Sequence, residues 1–217
     1  ISVTPVNDAA PVTIPDTAAT TEDTAISIDV LANDSDPDGD TLSVTAATAS
    51  NATVVINSDG TLGYTPNSNF NGTDTIAYTV SDGGLTTTGS VTVTVTSVND
   101  APTLVTALAD QSTTEDSVYS FTLPSGTFSD VDGDALTYSA TLNDDSALPA
   151  WLSFNTNTRT FSGTPLNSHV GSITVKVTAA DGSASVSDSF ILTVSEAVSG
   201  APVTIPDTAA TTEDTAI

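Results

Sequence analysis

The sequence predicts an all-β fold of tandem Greek-key β-sandwiches, and three observations carry that reading. Short runs rich in Val, Ile, Thr and Tyr recur along the chain, Gly, Asn, Asp and Pro bound them at regular intervals, and no stretch shows a helical period. A density of about seven such runs per hundred residues is that of a Greek-key sandwich.

The predicted strands follow in order. In the first half they are ISIDVL (26–31), TLSVT (41–45), ATVVIN (52–57), TLGYT (61–65), TIAYTV (75–80) and SVTVTVTSV (90–98). In the second half they are SVYSFTL (117–123), ALTYSA (135–140), WLSF (151–154), RTFSG (159–163), SITVKVTA (172–179) and SFILTVSE (189–196). The alternating Thr run at 91–96 is ordinary strand composition, not a ligand-binding face.

The halves read as two variants of one module. Residues 10–26 and 201–217 are the same sequence, APVTIPDTAATTEDTAI. The expected organisation is therefore the end of a preceding module with its linker at 1–9, one module at 10–100, a second at 101–198, and the start of a third at 199–217. The last segment, as a copy of the first, could also exchange with it in a neighbouring molecule.

Composition limits the function. The 217 residues hold 27 Asp and Glu against two basic residues, Arg159 and Lys176, for a formal net charge of −25. Such a chain cannot neutralise phosphates, so nucleic acid and anionic membrane surfaces are excluded as partners. No apolar run reaches membrane-spanning length, so no membrane insertion is expected. Disorder is excluded by the apolar fraction of 38% and by the strand patterning. There is no Cys, so stability must come from packing or from metal. Acidity, Thr richness and lack of Cys fit a secreted protein of the bacterial cell surface.

The acidic residues are not scattered. Asn7-Asp8 and Asn99-Asp100 stand just before Ala-Ala-Pro and Ala-Pro. Glu22-Asp23 and Glu115-Asp116 follow Thr pairs. Then come Asp36-Pro-Asp38-Gly-Asp40 and Asp130-Val-Asp132-Gly-Asp134, and finally Asp82-Gly and Asp181-Gly before the last strand. A D-x-D-G-D turn offers carboxylates on alternate residues, with Gly letting the chain bend round an ion. A solvated turn has the same composition, but the repeated order of all four marks favours a metal. Oxygen donors without thiolate or paired imidazole select Ca²⁺, and Mg²⁺ is poorly suited to an all-protein cage.

These residues resemble bacterial cadherin-like tandem repeats. The first module, with GYTP (63–66), Phe70, Gly72, Asp74, Tyr78 and Asp82, is similar to tandem-repeat cadherin-like units of large RTX-type adhesins. The second, with LPAWLSF (148–154) and RTFSGTP (159–165), is similar to the dystroglycan-type cadherin-like domain. The resemblance implies immunoglobulin/cadherin-like sandwiches with Ca²⁺ at the module junctions. It implies Asp8, Glu22, Asp36, Asp38, Asp40 and Asp82 at a first junction. Asp100, Glu115, Asp130, Asp132, Asp134 and Asp181 would serve a second. Asp23, Asp116 and Asn99 join as partners in the E-D pairs and the linker. Asp34 ranks lower, because Phe128 stands at its place in the second module. The linker at 195–202 lacks the Asn-Asp pair, so either Glu196 substitutes or that junction is looser.

Other residues carry plainer expectations. Trp151, Tyr64, Tyr78, Phe154 and Phe161 are expected in the core. His169 is expected at the surface, neither metal ligand nor base. No Ser has a catalytic context, so the chain is expected not to be an enzyme. The expected role is that of calcium-binding extender modules of a bacterial cell-surface adhesin, whose partners are neighbouring modules of the same chain. One alternative is an adhesion module that binds a surface carbohydrate or peptide through its second half. The other is a set of accessory modules of a secreted polysaccharide-degrading enzyme.

Overall fold

A computed structural model describes residues 6–197. The expected third-module start and its strand exchange fall outside these residues. The chain forms two compact units. The first is Ile1–Ala101 with the turn Asp130–Asp134, and the second is Pro102–Ser129 with Ala135–Ile217.

The first unit holds β1 (Asp16–Thr21), β2 (Ile26–Ile28), β3 (Ser43–Thr48), β4 (Ala52–Ile56), β5 (Leu62–Pro66), β6 (Gly72–Ser81) and β7 (Thr86–Thr96). They form two sheets, β1-β7-β6-β3 and β2-β5-β4. All pairings are antiparallel except one: β1 runs parallel to β7, from Asp16 beside Val91 to Thr21 beside Thr96. Side-chain alternation turns Ile76, Tyr78 and Val80 of β6 and Val91, Val93 and Val95 of β7 inward. They pack with Ile28, Val30, Leu62 and Tyr64 into one core. Each fully buried Val or Ile stabilises the unit by about 1.5–3 kcal/mol.

Two buried polar residues organise this core. Asp74 is only 4% exposed. It accepts the Tyr64 hydroxyl at 3.1 Å, the Asn51 backbone N–H at 3.2 Å and the Asn51 side-chain amide at 3.3 Å. This fastens the β3–β4 turn to β6, and burial with the Asp74 charge pushes the Tyr64 hydroxyl up to about 12. Tyr78 lies across Gly89 on β7, its register partner. A Cβ at Gly89 would stand 2.3 Å from the Tyr78 ring. The Tyr78 hydroxyl is 3.1 Å from Asp34 Oδ2 and 3.4 Å from Asp16 Oδ2. Asp34 also accepts the Ile14 N–H at 2.8 Å, so this residue braces the segment before β1.

The second unit holds β8 (Thr103–Leu104), β9 (Gln111–Thr114), β10 (Tyr119–Thr122), β11 (Phe128–Ser129), β12 (Thr137–Leu142), β13 (Leu152–Asn155), β14 (Thr160–Gly163), β15 (Gly171–Ala180) and β16 (Ser185–Ser195). Its sheets are β12-β15-β16-β9, β10-β14-β13 and the short pair β8-β11. Here β9 lies parallel to β16, as β1 does to β7. Phe161 is fully buried and meets Phe154 at 4.5 Å and Phe190 at 5.6 Å between ring centroids. A 3₁₀ turn at Asn167–His169 is the one helical element among the described residues. None of these is a helix long and apolar enough to cross a membrane.

Several expectations are corrected. ISIDVL is a strand only at Ile26–Ile28, after which the chain turns while Val30 stays buried. β1, β8, β9 and β11 were not expected. β1 and β9 are Thr-rich and lack large apolar residues, and they exist through pairing with a long neighbour rather than through their own pattern. Trp151 and Phe154 are half-buried at the margin of the core, whereas Tyr64, Tyr78 and Phe161 lie within it.

Two outcomes test this packing. Gly89→Val must displace the Tyr78 ring, so it is expected to cost about 1–3 kcal/mol and lower the thermal midpoint, while Thr88→Val on the exposed neighbour stays within about 0.5 kcal/mol. Burial, then the Asp34 charge, raises the Asp16 carboxyl above its ordinary 3.8, against the lowering hydrogen bonds of Asn33 and Tyr78. A carboxyl raised in the folded state destabilises as pH rises from 3.8 through the raised value. Urea midpoints measured across that window should fall in the parent and stay flatter in Asp16→Asn.

Candidate metal centres

Two acidic turns share one backbone design. In the first, Asp36 Oδ1 accepts the N–H groups of Asp38 at 2.9 Å and Asp40 at 3.1 Å. In the second, Asp130 Oδ1 accepts those of Asp132 at 2.9 Å and Asp134 at 3.4 Å. Gly39 and Gly133 close the turns at φ of 80° and 79°, a conformation that L side chains rarely adopt. Each leading Asp thus spends one oxygen on its own turn. Its other oxygen is buried and has no hydrogen-bond partner. In each turn the three carboxylates bring oxygens within 4.8 Å of one another.

The linker residues lock onto the turns through their backbone. Asp38 Oδ2 accepts the N–H groups of Asp8 at 3.0 Å and Ala9 at 2.9 Å, and Asp132 Oδ2 accepts that of Asp100 at 2.7 Å. Asp82 is 8% exposed and accepts the N–H groups of Leu85 at 2.6 Å and Gly84 at 2.7 Å with one oxygen. The Leu85 N–H first, then the Asn7 side chain and the Gly84 N–H, hold its carboxyl below the usual range. Its other oxygen is buried and unpartnered. Asp181 repeats the first half of this pattern, accepting the N–H groups of Ser183 at 2.6 Å and Ala184 at 2.7 Å.

The glutamates sit at the far ends of the last strands. Glu22 is 3% exposed, donates its N–H to Thr96 at 2.9 Å and accepts the Val98 N–H on Oε1 at 2.5 Å. Glu115 repeats this with Ser195 at 2.9 Å and Ala197 at 3.0 Å. Both leave Oε2 buried without a partner.

This placement corrects the expected grouping. Glu22 does not join Asp8, Asp36 and Asp82. It meets Asp100 and Asp132, with oxygens of the three within 4.8 Å. The reason is the parallel course of β1, which carries Glu22 to the end of β7, whereas Asp82 lies in the hairpin at the start of β7. β16 likewise separates Glu115 from Asp181. Around Glu115 no third carboxylate converges among the described residues. Asp23 and Asp116 have φ of 56° and 59°, which turns the chain sharply after each glutamate.

Around Glu22 the first unit holds a dense negative field. Burial first, then the charges of Asp132, Asp23, Glu22 and Asp130, raises the Asp100 carboxyl. A polar cavity of about 280 Å³ beside it is lined by Asn71, Ser97, Val98, Asn99, Asp132 and Asp134. Asn69 and Asn71 were not expected as site residues, whereas Asn7 belongs to the linker pair read from the sequence. Asn69 donates its N–H to Asp23 Oδ1 at 3.2 Å from the loop before β6. The run NSNFNG carries a signal, three Asn in one short loop, that reads as ordinary turn composition without the fold.

The donor set fits a hard cation. The buried, unpartnered carboxylate oxygens among the described residues belong to Glu22, Asp36, Asp82, Asp100, Glu115 and Asp130. An unpaired buried carboxylate is costly, so these oxygens need a positive partner.

The same two units are found by comparison with known families. Residues 7–94 match the family model described as "Bacterial Ig domain", and residues 101–195 match the one described as "Putative Ig domain". The chain is a tandem of bacterial immunoglobulin-like modules. No curated protein matches it. Similar solved structures include the endo-fucoidan hydrolase MfFcnA4 from glycoside hydrolase family 107, at 26% identity over 90% of this chain and 30% of that chain, with a TM-score of 0.37. The protocadherin GammaB4 extracellular domain matches at 21% identity over 88% of this chain and 34% of that chain, with a TM-score of 0.48. Mouse clustered PcdhgC3 EC1-3 matches at 15% identity over 88% and 69%, with a TM-score of 0.46. The immunoglobulin-like tandem thus spans less than a third of the hydrolase chain.

Charge crowding at Glu22 makes a signed prediction. In chelator, Glu22→Gln keeps an acceptor for Val98 and removes a buried charge beside Asp100 and Asp132. The urea midpoint of the first unit should therefore rise. A fall without any divalent cation present would show that the Glu22 charge is stabilised by the protein alone.

Proposed function

We propose that these modules are calcium-binding extenders of a secreted bacterial cell-surface adhesin, structural rather than catalytic. The observation that carries this reading is the convergence of Glu22, Asp100 and Asp132 with buried, unpartnered oxygens on Glu22 and Asp100. Calcium takes 6–8 oxygen ligands in flexible geometry, which suits carboxylates together with the Asn99 and Asn71 amides and backbone carbonyls. Asp132 lies in both the Glu22 and the Asp130–Asp134 groups, so it can bridge two neighbouring ions. Asp23 adds negative charge to the same field. The Asp36, Asp38 and Asp40 turn, with Asp8 and Asp82, would hold calcium in the same way. Glu115, Asp116 and Asp181 would serve the corresponding positions of further junctions.

Bound calcium supplies the positive charge that no side chain of the first unit supplies, since Arg159 and Lys176 both lie in the second. It would join linker and acidic turn into one coordination shell and stiffen the passage from module to module. A site at about 1,000 times its dissociation constant adds roughly 4 kcal/mol to folding. That equals a disulfide's typical contribution of about 2–4 kcal/mol in a chain that has no cysteine.

Calorimetric titration with CaCl₂ should show saturable binding that Asp132→Ala and Asp38→Ala each reduce. The thermal midpoint should rise with calcium, and small-angle scattering should show a longer maximum dimension with calcium than with chelator. Heats of dilution alone, together with an unchanged midpoint and dimension, would overturn the proposal.

A further inference from the structure

Trp151 is the feature that the calcium reading leaves unused. It was expected inside the core, yet it is half-buried and packs only one part of itself against the core. Its backbone is pinned, because the Trp151 carbonyl stands 2.0 Å from where a Cβ on Gly163 would lie, so only glycine fits there. His169 stacks on the indole at 5.7 Å between centroids and 24° between planes. The His169 ring is itself fixed, since Nδ1 accepts the Leu166 N–H at 2.9 Å. That leaves Nε2 as the N–H donor of the neutral ring.

Beside this pair lies a cavity of about 280 Å³, with Pro149, Trp151 and the core residue Leu192 among its walls and Ser168 and His169 as its polar side chains. No carboxylate, Lys or Arg lines it, in a chain with a net charge of −25. Leu166 and Val170, on either side of the His169 turn, are 55% and 39% exposed. An apolar floor, a fixed aromatic wall and a few directed polar groups are the makings of a small-molecule site.

We infer that this cavity of the second module binds one neutral hexose or N-acetylhexosamine unit of a glycan. A pyranose ring has an apolar C–H face for the apolar walls beside the His169-covered indole and a rim of hydroxyls for hydrogen bonding. His169 Nε2–H donates to that rim, and the Ser168 hydroxyl donates and accepts. The volume holds one sugar unit and not a chain, so the rest of the glycan extends into solvent. A uronate or sulfated sugar is disfavoured by the field of the surrounding acids. The site shares no residue with the acidic turns, so it stands or falls separately from the calcium reading.

Trp151 is the sole tryptophan and reports directly on its own cavity. Its emission should change saturably with at least one of N-acetylglucosamine, methyl β-D-galactopyranoside, methyl α-D-mannopyranoside and cellotetraose. His169→Ala should weaken that binding about tenfold or more, and so should Ser168→Ala, an exposed change that leaves folding intact. The affinity should be the same in calcium and in chelator. No saturable response to any of the four sugars overturns the inference. So does saturation by N-acetyl-leucine amide in their place, a response that persists unaltered in both variants, or binding that disappears in chelator while the second module stays folded.

Discussion

β1 lies parallel to β7, and this pairing decides where the chemistry of the first unit can happen. A hairpin partner would return the Glu22 end of β1 to the start of β7, next to Asp82. The parallel course sends it instead to the end of β7, where the linker leaves the sheet. Glu22 then caps two backbone contacts at once, donating to Thr96 and accepting from Val98. Two residues beyond Val98, the Asp100 N–H donates to Asp132 Oδ2 of the acidic turn at 2.7 Å. The second unit uses the same arrangement, with β9 on β16 and Glu115 between Ser195 and Ala197. The two units differ in core composition, one rich in Val and the other in Leu and Phe, yet the glutamate keeps its place.

Against that backbone frame, the acids divide their oxygens by function. Asp36, Asp82, Asp130, Glu22 and Glu115 each give one oxygen to backbone N–H groups and keep one buried and unpartnered. The first oxygen fixes the position of the second. Asp34, Asp74 and Asp16 show the contrasting pattern. Their oxygens take hydrogen bonds from Tyr78, Tyr64, Asn33, Asn51 and Ile14, and they serve the fold. Acidity alone does not separate the two groups, but the partner of each oxygen does.

Much of this was legible in the sequence because residue type carried it. Val-rich alternation announces β6 and β7, and acidic residues repeated in one order announce the clusters that could hold a cation. What was hidden depends on pairing. Asp-Thr-Ala-Ala-Thr-Thr has no apolar stripe, so β1 becomes a strand only when β7 lies beside it. The resemblance therefore grouped Glu22 with the other acids of its own module instead of those at the end of β7. Trp151 was misplaced for a related reason. Large aromatics usually belong in cores, and only the close approach of Gly163 and the stacking of His169 show this one held at the margin. Asn69 and Asn71 gave no distinct signal, since Asn in a loop before a strand needs no further reason.

The prepaid geometry of the acidic turns has a bearing on how such a chain can lengthen. Each turn is folded by its own Asp, and each glutamate is held by its own last strand, so a module brings both chemical ends with it. Copying a module in tandem would then add a complete socket and a complete plug together, with no compensating change required in either neighbour. Reach would then become a matter of copy number wherever the linker keeps its Asn-Asp pair, as at Asn7-Asp8 and Asn99-Asp100 but not at 195–202.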